Sequence, residues 1–297
     1  MQTDKITWQS IVARYAKSDT RKSIWQLINS IVPYLALFYL SMRSLEISFW
    51  LTLPLTMLTA GFMVRIFIIF HDCGHGSFFK SKTANTWVGR ITGLLTFTPY
   101  YRWSHDHAIH HATAGDLDRR GVGDVYTMTV SEYLASPWWK RFGYRVMRHP
   151  VFMFLFGSVI VFIFSQRVPP IKKDKPGRTS VWLTNLSLAI MITTMCLLFG
   201  WKEYVIVQLL VTFFGASAGI WLFYVQHNFE GVYWDRHEQW DYFKASIQGS
   251  SFYKLPAVLN WFTGNIGYHH IHHLSARSPT TICPRPTART PFSTSNR

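Results

Sequence analysis

The chain runs to 297 residues, of which 48% are hydrophobic, 17% aromatic and only 15% charged, against about 25% charged in a soluble domain. That balance excludes an ordinary soluble domain and places the chain in a membrane. The net charge of +15 would suit nucleic acid, but the basic residues fall between apolar runs, as positive-inside sorting distributes them, so no nucleic-acid partner is expected.

Residues Met1 to Lys22 are polar and mixed in charge, without a signal-peptide pattern, and their Lys5, Arg14, Lys17, Arg21 and Lys22 read as cytoplasmic. A spanning helix needs about 20 apolar residues. Residues 25–42 and 47–70 give two such spans, joined by a short turn around Arg43 and Glu46. Pro33 and Pro54 inside them are tolerable in a membrane, and Arg65 is placed to snorkel toward the interface. Residues 88–98 and 151–166 are apolar but short for a crossing. The stretch 80–150 is polar yet too aromatic for a disordered linker, and reads as a mostly helical cap over a site. Residues 181–200 and 204–225 give a second coupled pair of spans. Cys73, Cys196 and Cys283 are too few and too scattered for a disulfide framework, which favours a reducing, cytoplasm-facing site.

Thirteen histidines are present, most of them in three clusters beside these spans. They are His71-Asp72-Cys73-Gly74-His75, then His105-Asp106-His107-Ala108-Ile109-His110-His111, then His269-His270-Ile271-His272-His273. Imidazole is the commonest neutral metal ligand, and spacings of three and four put pairs of rings on one helical face. If the clusters share a site they must meet on one side of the membrane. Two crossings return the chain to the cytoplasm at His71. Arg167, Lys172, Lys173, Lys175 and Arg178, set against Asp174, keep it there after 151–166. That segment should therefore lie in the interface or dip in and return. The expected fold is all-α and integral to the membrane: four transmembrane helices, an interfacial or re-entrant segment, and a cytoplasmic helical cap holding the histidine-rich site.

About nine rings suffice for two metal ions, and an all-imidazole set suits iron, copper or zinc. No Glu-x-x-His motif of carboxylate-bridged bundle sites appears. Neutral ligands leave the metal charge uncompensated, which makes Asp72, Asp106, Asp116, Asp118 and Asp124 candidate acceptors of ring N–H groups, Asp72 and Asp106 first among them. The same carboxylates would serve as ordinary caps and loop residues.

The three clusters in this order resemble the histidine boxes of the membrane fatty acid desaturases. His71-Asp72-Cys73-Gly74-His75-Gly76-Ser77-Phe78-Phe79 is similar to their first box. His107-Ala108-Ile109-His110-His111-Ala112-Thr113, followed by Gly115-Asp116-Leu117-Asp118-Arg119-Arg120-Gly121, resembles bacterial acyl-lipid members, and Gly264-Asn265-Ile266-Gly267-Tyr268 leads into the third box. The likeness spans about residues 70 to 277. It implies a non-haem centre of two iron ions that uses O2 and two electrons to desaturate an acyl chain. It also implies the ligands: His71, His75, His107, His110, His111, His269, His272 and His273, with His227 of Gln226-His227-Asn228 as the ninth. His105 and His270 fall outside the pattern as outer residues, and His149 and His237 read as surface histidines.

Trp103, Trp221, Tyr224 and Trp261 are candidates to line a substrate slot, or else membrane anchors. The expected partners are a membrane lipid or other acyl-chain substrate and a separate electron donor, ferredoxin or cytochrome b5, docking on Arg119, Arg120, Arg141 and Arg145. A headgroup-binding face is the other reading of those charges. The expected location is a bacterial inner membrane with the site facing the cytoplasm. A membrane di-iron hydroxylase would use the same ligands. A histidine-rich metal transporter is the third reading, disfavoured because the clusters follow span ends rather than lying within the spans.

The resemblance stops at Arg277. Similar proteins continue with Ile-Pro-x-Tyr-x-Leu-Pro, whereas here Ser278-Pro279-Thr280-Thr281-Ile282-Cys283-Pro284 follows. A permissible coding of 277–284, read from its third base, restores Ile-Pro-Asp-Tyr-Asn-Leu-Pro, which points to a frameshifted C-terminus that would impair the enzyme. The domains are accordingly 1–277, the desaturase domain, and 278–297, an atypical tail expected to be disordered for want of acidic residues and apolar periodicity.

Overall fold

A computed structural model describes residues 8–13, 16–170 and 174–281. Short α1 (Trp8–Ala13) precedes α2 (Thr20–Ser44), whose first turn is capped by the Asp19 carboxylate accepting from the N–H groups of Arg21 and Lys22 at 3.0 and 3.2 Å. After a tight turn, α3 (Phe49–Gly74) returns antiparallel. Small polar side chains face one another between these two helices, Ser44 Oγ with Thr52 Oγ1 at 2.8 Å and Ser41 Oγ with Thr59 Oγ1 at 3.4 Å. In an apolar medium such pairs let helices approach closely and satisfy each other.

Helices α4 (Lys82–Leu95) and α5 (Tyr100–Thr113) follow, then α6 (Val130–Ala135) and α7 (Trp138–Arg148). Helix α7 bends by 74° into the segment Phe152–Arg167, which is wound as π-helical turns over Phe152–Gly157 and Ile160–Phe164. The second long pair is α8 (Lys175–Phe199) and α9 (Trp201–His227), and the chain closes with α10 (Tyr242–Gln248), α11 (Ala257–Phe262) and α12 (His269–Leu274). Among the described residues there are no strands beyond two isolated bridges, Asp116 with Asp235 and Phe252 with Tyr268.

Helices α2, α3, α8 and α9 are long and apolar enough to cross a membrane. Each covers nearly all of an expected span, although α3 starts two residues late and α8 ends one residue early, and each runs on beyond it at one end or both; the excess at the ends of α3 and α9 carries His71 and His227. The core lies where α2, α3 and α9 meet, filled by Tyr34, Phe38, Met63, Ile66, Val207 and Val211. Gly89 brings α5 onto α4: a Cβ there would sit 2.1 Å from the ring of Tyr100, whose hydroxyl donates to Cys73 O at 2.7 Å. That bond ties the start of α5 to the end of α3.

Arg65 does not snorkel. It is only 2% exposed, with its guanidinium 3.9 Å above the Trp261 ring. Nε donates to Ser30 Oγ at 3.1 Å, and the two terminal nitrogens donate to Trp261 O and Gln26 Oε1. Polar partners from α2 and α11 make the interior cheaper for this charge than the distant interface.

Candidate metal centre

Four helix ends deliver the histidines. The last turn of α3 carries His71, and His75 caps it; α5 carries His107, His110 and His111 on one face; α9 ends on His227; α12 is the third cluster itself. The nine rings fall into two groups, each with one ligand atom per residue and all those atoms within 4.8 Å of one another. His71, His75, His107, His111 and His272 form the first, and His110, His227, His269 and His273 the second. The groups adjoin through His111 and His273, stacked at 4.1 Å. All nine sequence-selected rings are therefore brought together.

Which nitrogen points inward follows from the outer bonds. His110 Nδ1 lies 2.5 Å from Asp124 Oδ1, and His227 Nδ1 lies 3.2 Å from Gly249 O. A carboxylate and a carbonyl can only accept, so both rings hold their proton on Nδ1. Their Nε2 lone pairs then face each other at 3.1 Å, and His227 Nε2 is 2.9 Å from His269 Nε2, itself 3.1 Å from His273 Nε2. Opposed lone pairs repel unless a cation sits between them. Two rings bound at right angles to one ion, at metal–nitrogen distances of about 2.1 Å, place their nitrogens about 3 Å apart, so the donor set fits a metal.

In the first group Asp72 Oδ1 takes His71 Nδ1 at 3.2 Å, which turns Nε2 inward. His107 and His111 face each other through Nε2 at 3.2 Å. The Nε2 atoms of His71 and His75, and both nitrogens of His272, are buried without a hydrogen-bond partner among the described residues. Buried imidazole nitrogens left unpaired cost free energy in a folded chain, and a bound ion removes that cost.

Burial strips water from His107, His111, His269, His272 and His273, and the surrounding rings repel an added proton. Both effects push these histidines well below 6.5. They stay neutral at physiological pH, with lone pairs free for a metal.

The carboxylates sort differently from the sequence expectation. Asp72 does contact a cluster ring, and so does Asp124, ranked lower. Asp106 instead faces Arg102 at 3.6 Å and His105 at 3.5 Å on the outer side of α5. Asp116, fully buried, takes His237 Nδ1 at 2.8 Å and Arg119 at 2.5 Å, while Asp118 takes Arg236 at 2.5 Å. These pairs clamp the loop after α5 to residues 235–237, and the hydrogen bonds hold both carboxylates below their ordinary values. His237 thus has a structural partner. His105 lies over Tyr101, outside both groups, and His270 is buried beside Phe252.

Among the four aromatic candidates, Trp103 meets the rings, stacking on His107 at 4.4 Å and standing 5.8 Å from His71. Trp221 packs on Tyr253, Tyr224 on Phe154, and Trp261 on Phe62 and Arg65. Sequence reasoning missed Phe223, which lies 5.3 Å from both His110 and His227. Its spacing of one helical turn before His227 was the available signal. It also missed Ser278, Thr280 and Thr281, which are buried and hydrogen-bonded. The first four residues of the segment expected to be disordered are packed; residues 282–297 lie outside the described residues.

The family model described as fatty acid desaturase matches residues 48–289. The chain is 47% identical over 268 residues to a fatty acid desaturase of Bacillus subtilis (strain 168), covering 90% of this chain and 76% of that one. It is 27% identical over 245 residues to the sn-1 acyl-lipid omega-3 desaturase (ferredoxin) of Synechocystis, covering 77% of this chain and 65% of that one. It is 26% identical over 258 residues to the sn-1 oleoyl-lipid 12-desaturase of the same organism, covering 84% and 69%.

Proposed function

The chain belongs to the fatty acid desaturase family of membrane oxidoreductases, and from that premise we propose that it desaturates the acyl chain of a membrane lipid at a di-iron centre. The proposed ligands are His71, His75, His107, His111 and His272 for one ion and His110, His227, His269 and His273 for the other. The convergence of nine imidazoles into two groups, each backed by one carboxylate, carries this reading.

An unactivated methylene has no acidic hydrogen, so no side-chain base can remove it. Two irons held by these histidines would activate O2 as the missing oxidant; overall, O2, two electrons and two protons, with the two hydrogens of adjacent methylenes, would give a carbon–carbon double bond and two waters. The protein's own residues position and exclude. Asp72 and Asp124 hold Nδ1–H of His71 and His110, which fixes the rings and adds negative charge behind otherwise neutral ligands. Trp103 closes the first group and Phe223 the second with apolar surface, keeping water from the reacting carbons.

Electrons are proposed to arrive from an external carrier, a ferredoxin or cytochrome b5. The ferredoxin named for the Synechocystis relative supports the first. Arg119 and Arg120 are engaged by Asp116 and Glu132, so Arg141 and Arg145 on α7 are the better docking candidates. The basic residues flanking the spans support a cytoplasmic site in a bacterial inner membrane.

The test is expression in a host poor in unsaturated lipids, with double-bond mapping of its lipids and metal analysis of the purified protein. New double bonds and two irons per chain are expected. Hydroxylated acyl chains in their place would assign the sibling hydroxylase, and exchangeable zinc without iron would assign transport.

A further inference from the structure

Asp72 lies in the last turn of a spanning helix with 1% of its surface exposed. A buried carboxylate is costly unless its lone pairs are taken. His71 Nδ1 supplies one donor at 3.2 Å. The other three come from far along the chain, just beyond the third histidine cluster: Thr280 Oγ1 donates to Oδ1 at 2.9 Å, and Thr281 N and Oγ1 donate to Oδ2 at 3.1 and 2.8 Å.

The donors are themselves held. Gln26 Nε2 donates to Thr281 O at 3.1 Å, and the same amide accepts from Arg65 through Oε1. Ser278 N closes a turn on Ser275 O at 2.9 Å. Gly264, at φ +54, leaves the room: a Cβ there would lie 2.8 Å from Ile68 and 2.9 Å from Thr281. A segment that follows α12 is thereby locked between α2 and α3.

We propose that Thr280 and Thr281 are positioning residues for the first metal ion: they clamp the Asp72 carboxylate and, through it, the His71 ring. The clamp joins the two ends of the five-ring group, since the strand of chain that leaves His272 returns to fix His71. Asp72 with four donors has one orientation, and His71 Nε2 has one direction. Without the two hydroxyls Asp72 keeps only the Thr281 amide and the ring itself, and it can rotate or take up water. The second group lacks this anchor, as Asp124 is held from its own loop. The effect is therefore selective.

The inference rests on His71 being an iron ligand, and its test separates the two. Full-length protein in detergent is loaded with ferrous iron, and the release of each ion to a chelator is followed beside Mössbauer spectra. Wild type that binds no iron sinks the ligand reading itself. If wild type binds two, Thr280→Val and Thr281→Val should each speed the loss of one ion several-fold. The double variant should lower the affinity for that ion about 10- to 100-fold, as outer-shell losses do, and shift one iron signal only. Thr280→Ser with Thr281→Ser keeps both hydroxyls and should behave as wild type. Wild-type release from the double valine variant overturns the proposal. So does parallel loss of both ions, or failure of the single valine variants to insert, because either marks a general packing role.

Discussion

The two histidine groups share α5 and α12, but α3 completes one and α9 the other, and they are built by different logic. The four-ring group is closed: its Nε2 atoms already stand 2.9 to 3.1 Å apart, and two of its rings are fixed by outer acceptors, one a carboxylate and one a backbone carbonyl. The five-ring group is more open, with partly exposed His75 and His272 buried with both nitrogens unpaired among the described residues. Its single carboxylate is neighbour in sequence to the ring it holds and depends on a distant segment for its own orientation. Direct convergence organises one group, and outer anchoring the other.

The largest effects should come from removing a ring. His110→Ala and His272→Ala are each expected to bring desaturation to background while membrane insertion persists. His110→Ala should empty the closed group and His272→Ala the open one, each read as iron per chain falling from two toward one. Equal loss of both ions in either variant would break the comparison. Next comes Asp124→Asn, which keeps the shape but removes the charge. It should weaken only the closed group's ion, about 10- to 100-fold, measured by competition with a chelator.

Acidification should act on the metal-free protein in one direction. The buried rings are depressed below 6.5, so below that pH the unfolded chain binds protons that the folded chain refuses. Stability falls as pH drops from 6.5 toward the depressed folded values. Thermal melts should show this loss, and bound iron should reduce it. A metal-free protein with a flat profile from pH 7 to 5 would contradict the burial argument.

The smallest effects belong to histidines outside both groups. His237→Ala removes one donor to buried Asp116, which keeps Arg119 and the Asp118 amide; the cost should be about 1 kcal/mol with iron content unchanged. His149→Ala, at the exposed end of α7, should stay within about 0.5 kcal/mol of wild type.

Much of the architecture was legible because apolar length and basic flanks report directly on membrane crossing. The four spans and the short 151–166 segment needed no tertiary knowledge. Arg65 was misread because a local rule sends a near-terminal arginine to the interface, whereas Ser30, Gln26 and Trp261 offered a nearer set of partners. The packed residues 278–281 escaped for a related reason. Thr280 and Thr281 dock by hydrogen bonds to one carboxylate, which leaves no apolar period to detect.

The sequence by itself determined where the imidazoles cluster, since spacings of three and four residues put paired rings on one helical face; the likeness to the histidine boxes, not the spacing, singled out the nine proposed ligands. It could not divide the nine rings between the two groups. His110 and His111 are adjacent in sequence yet belong to different groups, since consecutive helical residues point about 100° apart. Nor could it choose among the aspartates. Asp106 lies within the second histidine cluster and faces outward; Asp124, fourteen residues beyond His110, turns in. Only the folding of the loop after α5 and the return of 278–281 onto α3 decided which carboxylates stand behind the rings.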